Sequence, residues 1–175
     1  MKLIPIKIPN LIEVDINEAR ISVSKGDITE VLKLENGVNI TKNCDDIVIG
    51  KIESVRQSKL KAHSLYRRLL NTIKGLEQKF SEEISVVGTG YFIKLEKDQL
   101  ELELGYSHRI YIDIPRSIEV KIKDGKITIY CHNKQVLGTF AAKLEALRYP
   151  NVYSGEGVII TRKKYIRKVR VKKKK

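Results

Sequence analysis

The sequence predicts an α+β chain made of two tandem copies of one unit. Each copy is expected to be an antiparallel sheet packed on one helix, with a basic C-terminal tail after the second. Three observations predict this. Apolar residues alternate with polar ones through two long stretches, a segment of helical spacing follows each stretch, and the two stretches superpose at a constant shift. Alternation marks a half-buried strand, and i, i+3, i+4, i+7 spacing marks an amphipathic helix.

In the first copy, Val14-Asp15-Ile16 and Ile21-Ser22-Val23 alternate across a short polar turn and read as a hairpin. Leu32 and Leu34 continue the pattern, then Val38 and Ile40 after the turn Asn36-Gly37, then Ile47 and Ile49 after Asp45-Asp46. From residue 60 the period changes. Ala62, Leu65, Tyr66, Leu69, Leu70 and Ile73 form a helical stripe with Arg67, Arg68 and Asn71 opposite, and Gly75 is a candidate stop.

The second copy repeats that order. Phe92 to Leu95 and Leu100 to Leu104 flank the turn Glu96-Lys97-Asp98-Gln99, and Ile110, Ile112 and Ile114 alternate up to Pro115. Ile118, Val120 and Ile122 follow, then Ile127 and Ile129 after the hairpin turn Lys123-Asp124-Gly125. Asn133 is the expected N-cap of a helix whose apolar face is Val136, Phe140, Leu144 and Leu147. Adding 80 carries Leu32, Leu34, Val38, Ile40, Ile47 and Ile49 onto Ile112, Ile114, Ile118, Val120, Ile127 and Ile129. A shift of 74 carries Tyr66, Leu70 and Ile73 onto Phe140, Leu144 and Leu147, which are expected to be buried at equivalent places. The boundary is expected near Phe80 to Ser85, with domains at 1–82 and 83–175.

Charge is distributed unevenly. The 175 residues hold 34 Lys and Arg against 21 Asp and Glu, a net of +13. Arg162 to Lys175 contains ten basic residues and no acidic one, so residues 1–161 carry 24 against 21, a net of +3. Ten charges in fourteen residues repel one another unless a polyanion meets them, and such a segment binds phosphates with strong salt dependence. Tyr165, Ile166, Val169 and Val171 interrupt the run, so its first half is expected to pack and Lys172 to Lys175 to remain a free brush.

Other classes are set aside on chemistry. No apolar run approaches the roughly 18 residues of a membrane span. Met1 to Pro9 lacks the apolar centre of a secretory leader. Cys44 and Cys131 make neither a disulfide framework nor a zinc site, so a soluble chain in a reducing compartment is expected, without metal or cofactor. Cys131 and His132 are strand neighbours facing opposite ways, and His63 lies four residues before Arg67, suiting phosphate or solvent. Gly88-Thr89-Gly90-Tyr91 lacks the third glycine of a dinucleotide loop and runs into a strand, so its glycines relieve crowding against another surface. Glu101 and Glu103 share a strand face and read as solvated charge at an edge strand. No catalytic constellation is expected.

Four segments then carry a resemblance. Asn133-Lys134-Gln135-Val136-Leu137-Gly138-Thr139-Phe140-Ala141-Ala142-Lys143-Leu144-Glu145-Ala146-Leu147-Arg148, running into Pro150-Asn151-Val152-Tyr153-Ser154-Gly155-Glu156-Gly157-Val158, resembles the second-domain helix and signature loop of the large-subunit ribosomal protein family called L-six. Val87-Gly88-Thr89-Gly90-Tyr91 and Leu104-Gly105-Tyr106-Ser107-His108 resemble two more of its segments. His63, Arg67, Leu69, Leu70 and Asn71 match its first-domain helix. Ser154 and Glu156 stand where the family signature has lysines, one of them reversing a charge.

The resemblance implies a structural, non-enzymatic protein of the large ribosomal subunit. Its partners would be large-subunit rRNA, near the sarcin-ricin region and the stalk base, and neighbouring ribosomal proteins, with no membrane and no small-molecule substrate. The expected RNA contacts are Tyr153, Gly155 and Gly157 in the loop, and Arg162, Lys163, Lys164, Arg167, Lys168 and Arg170 in the tail. Ser107 and His108 are further candidates. The loop glycines would let backbone N–H groups approach phosphate, and Tyr153 would stack or donate a hydrogen bond. The lysine and isoleucine bias matches A+T-rich coding, which fits a ribosome of the bacterial cytoplasm or of a mitochondrial or plastid matrix. The rival readings are a free RNA-binding module using the same tail and a small hydrolase built on Cys131 or His108.

Overall fold

A computed structural model of the chain describes residues 5–9, 11–17, 20–34, 37–42, 46–51, 57–123 and 125–169. Asn36, Cys44, Asp45, Asp124, Arg170, Val171 and Lys172 to Lys175, on which several sequence expectations fall, lie outside the described residues. The chain divides into two compact units, Met1–Lys79 and Phe80–Lys175.

The first unit runs β1 (Ile6–Lys7), β2 (Glu13–Ile16), β3 (Arg20–Lys25), β4 (Ile28–Lys33), β5 (Val38–Lys42), β6 (Asp46–Lys51) and α1 (Ser58–Glu77). The second runs β7 (Phe80–Val87), β8 (Phe92–Glu96), β9 (Gln99–Glu103), β10 (Ile110–Asp113), β11 (Glu119–Lys123), β12 (Lys126–Cys131), α2 (Lys134–Leu147) and β13 (Gly157–Ile160). The element order is therefore the same through the helix. Pairing repeats as well: β1-β6-β5 and β2-β3-β4 in the first unit answer to β7-β12-β11 and β8-β9-β10 in the second. Ile40 pairs with Ile49 and Val120 with Ile129, so one register recurs at a shift of 80 on both strands. All the pairings are antiparallel, and the chain is α+β and duplicated.

Each unit contains two sheets where the sequence predicts one. Alternation shows which face of a strand is apolar and says nothing about its partner; the chain changes sheet after β1 and after β4 in the first unit, and after β7 and after β10 in the second. Both sheets feed one core. Ile21, Val23, Ile47, Ile49, Leu65 and Leu69 are packed together in the first unit, and Leu100, Leu102, Ile127, Ile129, Phe140 and Leu144 in the second. Phe80–Val87, where the sequence places the boundary, is one continuous strand that begins the second unit.

The helices correct the sequence reading by one residue. Ala62, Leu65 and Leu69 are buried on α1 and Leu137, Phe140 and Leu144 on α2, a shift of 75 rather than 74. Tyr66, Leu70 and Leu147 only flank the cores, half-buried. Leu65-Tyr66 and Leu69-Leu70 are adjacent apolar pairs, so either member could have faced inward; the smaller angular spread of Ala62, Leu65, Leu69, Ile73 and Leu76 decides the face. Gly75 is not a stop: α1 continues to Glu77, because Leu76 extends the buried stripe one step past Ile73. Asn133 does cap α2, its Oδ1 accepting from Gln135 N–H at 2.9 Å and Val136 N–H at 3.4 Å. Such a cap contributes about 1 kcal/mol.

Candidate nucleic-acid interface

Three loops separated in sequence meet at one end of the second unit, and an aromatic ring joins two of them. Tyr91 lies over Gly88, where an ideal Cβ would stand 2.6 Å from the ring, and beside Gly105, where it would stand 3.1 Å away. Tyr91 thus leaves no room for a side chain at Gly88 and little at Gly105, where a φ of +72° favours glycine as well. The crowding expected from the sequence at Gly88 is real, and its source is Tyr91 itself.

Tyr106 then ties the second loop to the third. Its hydroxyl donates to Leu147 O at 2.9 Å, satisfying one of the carbonyls left open at the end of α2. Arg148, the next residue, places its guanidinium 4.9 Å from the Tyr106 ring centre, within cation–π range. Hydrogen bonding, first with Tyr106 and then with Tyr91, raises the Arg148 pKa above its ordinary value. His108 stacks near Tyr106 at 6.1 Å between ring centres. A cleft of about 300 Å³ opens here, lined by Tyr91, Arg148, Tyr149, Asn151 and Glu156.

The third loop closes on itself. Val158 N–H donates to Arg148 O at 2.9 Å, Asn151 N–H to Glu156 O at 2.9 Å and Gly155 N–H to Asn151 O at 2.8 Å. Asn151 Oδ1 accepts from Tyr153 N–H at 2.9 Å. Gly157 is buried with φ +147°, and a Cβ there would stand 2.7 Å from Pro150 Cα. The loop glycines therefore shape the turn: Gly155 spends its N–H inside it, and Gly157 lets it close. The Tyr153 ring remains about half exposed, at 48%.

The tail returns along this loop. Thr161 N–H donates to Glu83 O at 2.9 Å, and Lys168 N–H to Val152 O at 2.8 Å. Arg167 Nη2 donates to Ser154 O at 3.2 Å. Tyr165 donates to Glu145 Oε1 at 2.6 Å, accepts from Ile160 N–H at 3.0 Å, and meets Tyr149 edge-on. Lys163 is ion-paired with the other oxygen of Glu145. Ile166 and Val169 stand out at 79% and 87% exposure, so among the described tail side chains packing is concentrated on Tyr165.

The candidate cations consequently divide. Lys163 holds Glu145, and Arg162 Nε lies 3.5 Å from Glu82 Oε1. Arg167 and Lys168 are exposed beside the loop, Lys164 is exposed between the two residues that meet Glu145, and Ser107 and His108 are exposed on the neighbouring turn. Arg170 lies outside the described residues. Tyr91, Arg148 and Glu145 stand in the segments that carry the resemblance, but the partners that give them a place in the site, Gly105, Tyr106, Lys163 and Tyr165, are remote along the chain.

Burial acts on Glu145 to raise its pKa, but the hydrogen bonds from Lys163 and Tyr165 outweigh it and leave the value below the ordinary 4.5. This contribution to stability is present above pH 4.5 and is lost as pH falls through the lower, folded-state value. Burial, and then the bond to Glu145, push Tyr165 up from 10.0 to about 12. Its contribution is complete below pH 10 and is lost as pH rises through about 12. A titration followed by tyrosinate absorbance is expected to show a phenol ionising near pH 12, which Tyr165→Phe removes. Persistence of that step in the variant would refute the assignment.

Elsewhere the carboxylates correct another expectation. Glu101 lies on β9, the central strand of its sheet, and is buried rather than solvated at an edge. Arg109 clamps it, with Nη1 at 2.7 Å from Glu101 and Nε at 2.6 Å from Glu103. Cys131 is a buried core thiol. Among the described residues no three His, Cys, Asp or Glu gather as a metal site, and no helix is long and apolar enough to cross a membrane.

Fold and loops together define a duplicated α+β protein whose second copy carries an end built from glycine turns, aromatic rings and exposed cations. The family model described as Ribosomal protein L6 matches residues 87–159, which span all three loops. Large ribosomal subunit protein uL6 of a Nitratiruptor species is 34% identical over 170 residues, covering 97% of this chain and 92% of its own. The protein of that name from Aliarcobacter butzleri is 36% identical over 169 residues, covering 94% and 92%. That from Chloroherpeton thalassium is 33% identical over 159 residues, covering 89% and 87%. The chain belongs to the ribosomal protein L6 family.

Proposed function

We propose that the chain is a structural component of the large ribosomal subunit and holds rRNA with the loop end and tail of its second unit. The RNA is placed near the stalk base and sarcin-ricin region, as the family resemblance implies. The supporting observation is that the tail, the closed loop 148–158 and the turn bearing Ser107 and His108 lie together, with Lys164, Arg167, Lys168 and Tyr153 exposed among them. Arg148 adds a cation beyond those expected from the sequence. Gly155 and Gly157 serve by fixing the loop, Arg162 and Lys163 by fixing the tail, and Arg170 extends the charged run. Contacts of this kind position a protein on a folded RNA without reading sequence.

The ribosome is of bacterial type, in a bacterial cytoplasm or in an organelle, and the role requires no catalysis or cofactor. Neighbouring ribosomal proteins complete the partners. The two copies act as separate domains joined near Lys79 and Phe80, with the RNA on the second.

Truncation after Thr161 removes the ten basic tail residues. The affinity of the truncated chain for a stalk-base rRNA fragment is expected to fall at least about tenfold. The slope of log K against log salt should flatten by about 0.7–0.9 for every phosphate that the tail no longer neutralises. Unchanged affinity and slope would make the tail a solubilising brush and move the contact elsewhere. Co-sedimentation with large subunits through a moderate-salt wash separates a resident component from a free RNA-binding module.

A further inference from the structure

Building on the RNA-binding reading above, we propose that Glu145 is a positioning residue: from the buried face of α2 it latches the tail and so orients cations that do not touch it. Glu145 is 6% exposed on a helix face otherwise made of Leu137, Phe140, Ala141 and Leu144. A carboxylate there is costly unless it is paired and hydrogen bonded, and an apolar residue would pack at lower cost. Both its oxygens are satisfied, and both partners come from the tail: Lys163 on one, the Tyr165 hydroxyl on the other. Tyr165 passes the constraint on, because the same hydroxyl accepts from Ile160 N–H at the end of β13.

Apolar packing beyond Tyr165 contributes little, since Ile166 and Val169 are exposed. The described path of the tail thus rests on Glu82 through Arg162, on Glu145 through Lys163 and Tyr165, on Ser154 O through Arg167, and on Val152 O through Lys168 N–H. Lys164 lies between the two residues that Glu145 holds, and Arg167 and Lys168 follow directly, so the latch sets where these charges stand.

The sign of one substitution separates this role from simple charge attraction. Glu145→Gln removes a negative charge near a polyanion-binding surface and frees Lys163, so attraction alone requires tighter RNA binding. The latch requires weaker binding. In the full-length chain, the Kd of Glu145→Gln for the stalk-base rRNA fragment is expected to rise about tenfold, the loss of roughly one oriented charge-assisted contact. Tryptic cleavage after Lys163 and Lys164 should accelerate while the rest of the chain remains protected. Tyr165→Phe keeps the ring and all formal charges, so it tests the latch independently should Glu145→Gln fail to fold. It should shift Kd in the same direction by a smaller factor. A folded Glu145→Gln that binds as tightly as wild type or tighter, or an unaltered Tyr165→Phe where Glu145→Gln does not fold, overturns the positioning role alone. Absence of salt-dependent binding by the wild-type chain overturns the RNA reading and the positioning role with it.

Discussion

Gly157→Ala is expected to be among the most damaging single-methyl changes in the chain, destabilising the second unit by about 2–4 kcal/mol. The added Cβ would stand 2.7 and 2.8 Å from the Cα and N of Pro150 and 2.9 Å from Arg148 O. These are backbone atoms, and Arg148 O is already held by Val158 N–H at 2.9 Å, so no flexible side chain can move aside. The backbone at φ +147° also lies where L residues are rarely found. Gly155→Ala is the control: its Cβ meets only the Arg167 guanidinium at an ordinary 3.6 Å, leaving the backbone cost of φ +77°, about 1–2 kcal/mol. Urea titrations followed by circular dichroism read the difference. Equal losses, or a larger one at Gly155, would show that the closed loop is softer than its geometry implies.

Leu69→Ala and Leu144→Ala are expected to cost about 2–5 kcal/mol each, as fully buried leucines do when the cavity cannot collapse. They occupy the same place in the two copies, so the losses should be similar. Leu70→Ala, one residue away and half-buried, should cost well under half as much. The contrast between Leu69 and Leu70 is the useful result. A larger loss at Leu70 would restore the shift of 74 and overturn the helix phase described here.

Most strands are legible in the sequence because Val14 to Ile49 and Phe92 to Ile129 alternate cleanly between short turns. Three strands are not, and of these β1 (Ile6–Lys7) is only two residues long. In β7 the inward series Phe80, Glu82, Ile84 and Val86 is interrupted by Glu82, a buried carboxylate that breaks the apolar pattern, and the strand starts almost directly after α1. In β13 the run Gly157-Val158-Ile159-Ile160 is buried along most of its length and so shows no alternation. The site is legible in part for a related reason. Loop glycines and the charge run are local signals, whereas the Tyr91 ring between Gly88 and Gly105, or Glu145 beneath Lys163 and Tyr165, is a meeting of residues whose spacing carries no period. Sequence spacing indicates that Gly88 is crowded; it cannot indicate by what.

One difference between the copies lies at the edges of their sheets. In the second unit β13 pairs along β7 and covers that side of the sheet. The corresponding strand of the first unit, β1, is the outermost strand of β1-β6-β5 among the described residues. An uncovered strand is a template on which another chain can pair, the usual beginning of aggregation. Here the template is only two residues long, Ile6 and Lys7, with Pro5 before it and Pro9 close behind, residues that lack the N–H a growing ladder would need. In the second copy β13 takes the outermost place beside β7, whereas in the first the outermost strand is too short and too poor in donors to extend a ladder.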